Sequence, residues 1–199
     1  MAGFNFKKTS AALLVMDCQE DIVSDLPVGE RERLMAALQK ALYAARTAAI
    51  PIIHIVVQFR ETHPEIGSRG FFKTIKESGG MVAGSPGAEI CREVRPQPGE
   101  LIITKKRIGA FTGSDLEQIL RSKCIDTIFL AGVSSVGVVE STARQAVDMD
   151  FDIVVLSDGC ADRDPKTNEA ALKYLIPRIG RVISIDTFIA ALDELGAPN

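Results

Sequence analysis

Six short apolar runs, near residues 11–16, 51–57, 100–104, 126–131, 152–157 and 181–185, alternate along the chain with segments of helical periodicity. Strands separated by helices are joined by crossovers rather than hairpins, which makes them parallel and covers the sheet on both faces. The pattern therefore predicts a three-layer α/β/α sandwich with a six-stranded parallel sheet. A chain of 199 residues, 46% hydrophobic, is long enough for one such core and short of the roughly 250–300 residues at which cores divide, so residues 1–199 read as a single domain.

Open parallel sheets bind ligands beyond the carboxyl ends of their strands. Asp17, Gln58, Lys105 and the stretch Gly132 to Gly137 all fall there. That last stretch is a small-residue crest in FLAGVSSVGVVESTARQA, Phe129 to Ala146, between an apolar strand and a helix with Glu140, Thr142 and Arg144 on its polar side. Backbone N–H groups at a helix start lack intrahelical acceptors, so a crest of this kind suits a carboxylate, a phosphate or an oxyanion.

The run GVSSVGVVESTARQA resembles the signature of the isochorismatase-like hydrolases, the cysteine hydrolase superfamily, whose pattern is roughly G-V-x-T-N-x-C-V-x-S-T-A-x-x-A. Gly132, Val133, Val139, Ser141, Thr142, Ala143 and Ala146 match, Ser135 stands for Thr, and Val138 stands where the nucleophilic cysteine belongs. LLVMDCQEDIV is similar to the family's first strand, which makes Asp17 the counterpart of its catalytic aspartate. KKRIGAFTGSDLEQIL resembles the K-x-x-x-S-A-F-x-G-T-x-L segment, with Lys105 as the catalytic lysine and Gly109 where Ser is usual. DIVVLSDGCAD, Asp152 to Asp162, extends the likeness over most of the chain. The resemblance implies the strand order 3-2-1-4-5-6, a homodimer or homotetramer, and a hydrolase acting on a small molecule without a cofactor. The cytoplasmic location expected for the chain rests instead on its cysteines and on the lack of export or membrane-spanning signals.

In the family's amidases the aspartate deprotonates the cysteine, the lysine supports developing charge, and crest N–H groups form the oxyanion hole. Val138 closes that covalent route. Cys18 does not replace the thiol, because it follows Asp17 and leaves the strand on the opposite face. The branch that resembles this chain in lacking the cysteine cleaves isochorismate. There an acidic Asp protonates the vinyl ether carbon and water attacks the oxocarbenium, giving pyruvate and 2,3-dihydroxy-2,3-dihydrobenzoate. On that reading Asp17 is the donor, while Lys105, Arg107 and the crest residues Gly132, Val133, Ser134, Ser135 and Gly137 hold the substrate. Gln58 and Arg69, with Arg60 behind it, match a Gln and a loop Arg of that branch. Two alternatives stay open: Ser134 or Ser135 as the nucleophile of an amide or ester hydrolase, and a catalytically inactive family member that binds a ligand or partner. A lysine beside Asp17 lowers its pKa, whereas a proton donor needs it raised.

A net charge of −3, with Lys and Arg dispersed, supplies no basic stripe for nucleic acid. No apolar run approaches the ~20 residues that cross a bilayer, and MAGFNFKKTS is not a secretory signal. Cys18, Cys91, Cys124 and Cys160 sit singly, which disfavours zinc and disulfides. His54 lies inside a strand and reads as core; His63 has no ligand partner at metal spacing, and Gln58, Phe59 and Arg60 occupy the place of the Asp-x-His pair of the family's zinc amidases, so no metal is expected.

Helix 29–48 carries Leu34, Leu38, Ala41, Leu42 and Ala45 on one stripe. Gln58 to Phe72 and the glycine-rich ESGGMVAGSPGAEI form a long irregular connection of the kind used as a lid or binding loop. Ser114 and Glu117 read as a capping box opening helix 115–122. Asp164 before Pro165 opens a further helix, and Asp158 either touches the site or holds a turn. Phe71, Phe72 and the apolar residues from Ile176 to Ile179 are candidates for a subunit interface.

Overall fold

The computed structural model describes residues 6–195. In chain order the main elements are β1 (Ala11–Met16), α1 (Glu20–Ser24), α2 (Glu30–Thr47), β2 (Ile52–Val57), α3 (Lys73–Ser78), β3 (Leu101–Lys105), α4 (Leu116–Ser122), β4 (Thr127–Val133), α5 (Glu140–Val147), β5 (Asp152–Ala161), α6 (Pro165–Ala170), β6 (Arg181–Ile183) and α7 (Ile185–Glu194). All strand pairings are parallel, and the sheet order is β3-β2-β1-β4-β5-β6, as the resemblance implied. No helix among the described residues is long and apolar enough to cross a membrane.

Strand periodicity divides the core into two halves. On β1, Ala11, Leu13 and Val15 face one cluster with the stripe of α2 and with Phe188 and Leu192 of α7. Ala12, Leu14 and Met16 face the other, with Leu116 and Leu120 of α4 and Ala143 and Ala146 of α5. The predicted stripe Leu34, Leu38, Ala41, Leu42 and Ala45 is buried along its length. A third, smaller cluster of Val57, Phe59, Ile66, Met81 and Ala88 gathers the connection between β2 and β3.

Several local expectations change. Strand β5 runs four residues past its predicted end. Its pairing with β4 is irregular: Leu130 opposes Val155 but Gly132 opposes Cys160. The intervening Ser157, Asp158 and Gly159 look like a turn in sequence, but the strand resumes beyond them. Strand β6 is shorter than predicted because Ser184 caps α7, its Oγ accepting from Thr187 N at 3.1 Å. Asp158 also serves that end, accepting from Ile185 N at 2.8 Å. The capping box at Ser114 does not form. Its hydroxyl accepts from Leu116 N and donates to Ala110 O, while Glu117 lies 3.8 Å from Arg121 instead of reaching back. Asp164 does cap α6, accepting from Lys166 N at 3.0 Å, with Pro165 at the first helical position.

His54 is a core residue, as read: its Nε2 lies 3.0 Å from Glu100 Oε2, and Arg46 grips the same carboxylate at Oε1 and Oε2, at 2.7 and 3.0 Å. Ile176 is fully buried in the second core half, so it is withdrawn as an interface residue.

Candidate active site

Asp17 closes β1 in a left-handed conformation, φ 52°, its N–H donating to Ile55 O at 2.9 Å. Two residues on, the fully buried amide of Gln19 fastens this turn to its neighbours. Its Oε1 accepts from Val57 N at 2.8 Å, and its Nε2 donates to the carbonyls of Val57 and Ala88 at 3.0 and 2.7 Å. From the other side, Gly132 of β4 approaches so closely that a Cβ there would lie 2.0 Å from Met16 O. Only glycine fits at that approach and at that residue's φ of 142°.

Lys105 closes β3, with β2 between it and β1. Its Nζ lies 2.8 Å from Asp17 Oδ2 and donates to Arg107 O at 3.0 Å. Both side chains are almost wholly buried. Burial pushes the Asp17 carboxyl up to about 6, and the charge and hydrogen bond of Lys105 pull it down by less. The conflict posed by the sequence, a lysine beside a would-be proton donor, is thus decided in favour of desolvation. Asp17 Oδ1 is buried and has no hydrogen-bond partner among the described residues.

These two residues open onto a cavity of about 440 Å³ with apolar walls from Phe71, Phe72, Ile75, Ile108 and Val138. The crest runs along one side. Ser134 caps it, its Oγ accepting from Gly137 N at 3.0 Å, and a single π-helical turn, Ser135–Val139, leads into α5. Thr142 of α5 accepts from Ala110 N at 3.0 Å, which ties the segment after Lys105 to this helix. At the crest a carboxylate of the protein itself faces a backbone N–H: Asp162 Oδ2 accepts from Val136 N at 3.5 Å. A larger groove of about 950 Å³ between α2 and α7 is lined by Tyr43, Ala44 and Leu192 and holds no buried titratable group.

Asp17, Lys105, Val133, Ser134, Gly137 and Val138 therefore line one cavity. Gly132 lies behind it in the strand. Ser135 is fully buried and its hydroxyl has no hydrogen-bond partner among the described residues. Gln58 is turned away, donating to Ala88 O at 3.1 Å and lining a separate depression. Arg69 is exposed on the connecting loop and is not among the lining residues. Arg107 contributes its carbonyl to Lys105, while its guanidinium donates to the carbonyls of Lys106 and Glu65 and lies over Phe72. His63 lies near Gly80 O at 2.7 Å, holding its own loop. Among the described residues no group of three or more His, Cys, Asp or Glu is arranged to hold a metal ion. Cys18 packs in the core half opposite Val138, although strand alternation would place it with Met16 in Val138's half; the left-handed Asp17 turns the chain to the other face.

Sequence reasoning missed Asp162, Arg163, Ser141 and the aromatic wall. Ser141 is one of the matching residues of the signature, three positions after Val138, and was legible there. Asp162 and Arg163 were hidden because β5 was ended too early.

The isochorismatase domain family matches residues 11–187. The chain is 30% identical over 187 residues to the uncharacterized isochorismatase family protein YwoC of Bacillus subtilis, covering 94% of this chain and 95% of that one. It is 29% identical to the ureidoacrylate amidohydrolase RutB of Pseudomonas syringae pv. syringae, covering 97% and 88%. The crystal structure of a cysteine hydrolase from Pseudomonas syringae pv. phaseolicola superposes with a TM-score of 0.88 over 97% of both chains at 22% identity, a likeness of fold. With the sheet order, the matched domain and these relatives in agreement, the chain belongs to the isochorismatase family of hydrolases.

Proposed function

We propose that the cavity hydrolyses a small carboxylated enol ether of the isochorismate kind by proton transfer from Asp17, with no covalent intermediate. The observation that carries this reading is a buried carboxyl raised to about 6 in a cavity where the crest presents valine instead of a nucleophile. Oδ2 rests on Lys105 and the unpartnered Oδ1 carries the proton. That proton passes to the terminal vinyl carbon as the C=C pair forms the new C–H bond, leaving an oxocarbenium at the ether carbon. Water adds there and returns a proton to Asp17. The hemiketal then collapses to pyruvate and the ring alcohol. Apolar walls serve this step by raising the Asp17 pKa to about 6, which enlarges the fraction of the acid form near neutrality, while Lys105 stabilises the carboxylate left after transfer.

A second reading, amide hydrolysis, is favoured by the relative named as a ureidoacrylate amidohydrolase. On it, Asp17 in its ionised form activates water, or Ser134 attacks. The two readings, and that of an inactive binder, separate in one assay. Purified protein is offered isochorismate and ureidoacrylate, with pyruvate and ammonia as the respective readouts. Pyruvate release, falling by ~10²–10⁴ in Asp17→Asn, supports enol ether cleavage. Ammonia release alone replaces it with the amidase, and neither product leaves the binder.

A further inference from the structure

We infer that Arg163 is the carboxylate anchor of this cavity and that Asp25 holds it in reserve when no substrate is bound; the inference rests on the proposed carboxylated substrate. Two cations line the cavity among the described residues, Lys105 and Arg163. Lys105 is committed: it is 2% exposed and its ammonium is shared between Asp17 and the Arg107 carbonyl. The arginines that sequence comparison put forward are elsewhere, Arg69 on an exposed loop and Arg107 on backbone carbonyls outside the cavity. The crest N–H of Val136 already faces Asp162, whose own negative charge turns a substrate carboxylate away from that end.

Arg163 immediately follows Asp162 and pairs with Asp25, at the end of α1, through one guanidinium nitrogen. The side chains are 70% and 48% exposed. An exposed pair of this kind is weak, so exchanging Asp25 for a ligand carboxylate in a bidentate contact favours the ligand, the more so beside apolar walls that limit water. Phe71, Phe72 and Ile75 give the body of that ligand an apolar surface. The class assigned is a carboxylate borne on a flat or ring-shaped apolar body.

The test is equilibrium binding of benzoate and of its neutral isostere benzamide to the full chain, which needs no turnover and so stands apart from whether isochorismate is cleaved. Benzoate is expected to bind more tightly than benzamide. Arg163→Ala is expected to weaken benzoate by about tenfold, the scale of a charge-assisted bidentate contact, and to leave benzamide unchanged. Asp25→Asn is expected to tighten benzoate by freeing Arg163, whereas a purely structural ion pair would make both substitutions act in the same direction. Equal binding of benzoate and benzamide to the wild type, undiminished benzoate binding in Arg163→Ala, or weakened binding in Asp25→Asn would each overturn the assignment.

Discussion

At Asp17 the same desolvation that suits a proton donor acts against the folded state. The folded carboxyl holds its proton up to about pH 6 and the unfolded one only to about 3.8. Below the lower value both are protonated and there is no cost. As pH rises through that window the unfolded state releases its proton first, so folding loses up to about 3 kcal/mol by pH 8. Asp17→Asn, a neutral isostere, is therefore expected to be inactive yet more stable than the wild type at pH 8, with the gain vanishing below pH 4. Urea denaturation at both pH values checks this; a variant less stable at pH 8 would contradict the assigned shift. Turnover of the wild type should fall about tenfold per unit above the Asp17 pKa, because only the acid form donates. The cysteines make a separate residue-level prediction. Burial pushes the thiols of Cys91 and Cys160 up to about 11 and 12 and that of Cys18 well above its ordinary value, while Cys124 is exposed and outside the cavity. Iodoacetamide should label Cys124 alone, by mass spectrometry, without loss of turnover. Inactivation that tracks labelling of Cys18 would put the nucleophile back in question.

At the scale of elements, two contacts hold the strand ends in place. Gly132→Ala forces a methyl group against Met16 O, so β4 must move away from β1. A loss of at least ~2 kcal/mol is expected from backbone strain and a broken ladder, with the spacing of Asp17 and Lys105 disturbed. Unchanged melting in that variant would show that the strands yield more easily than described. Glu100 joins three elements: α2 through Arg46, β2 through His54 and the turn before β3 through Gln97 N. Burial pushes its carboxyl up, but Arg46, Gln97 N–H and His54 together hold it at about 2. Its contribution is present above the ordinary value of 4.5 and is lost as pH falls toward 2. Glu100→Gln should cost ~2–3 kcal/mol at pH 7, since Arg46 and His54 lose their charged partner, and the difference from wild type should shrink in acid. What the sequence made legible here follows from periodicity. Apolar runs located six strands, and the stripe of α2 named its buried face. The ends were less legible, because a strand that bulges through Ser157, Asp158 and Gly159 carries the local composition of a turn.

For the molecule as a whole, the residues at strand ends were readable because parallel topology gathers them whatever the loops do. Asp17, Lys105 and the crest came from that rule and from the matched signature. The aromatic wall was not readable, since Phe71, Phe72 and Ile75 reach the cavity only through the packing of an irregular segment, and nothing periodic in the sequence records where such a segment lies. That segment packs through its own small cluster of Val57, Phe59, Ile66, Met81 and Ala88, apart from the two core halves that fix the strands. The cavity accordingly has a floor of strand ends and a roof packed on a cluster of its own, the two joined through the Gln19 amide at Val57 and Ala88. Exchange of the roof, residues 66–82, for a segment of different shape is therefore expected to alter the range of molecules admitted more than the seating of the acid and its lysine, which the strand ends hold.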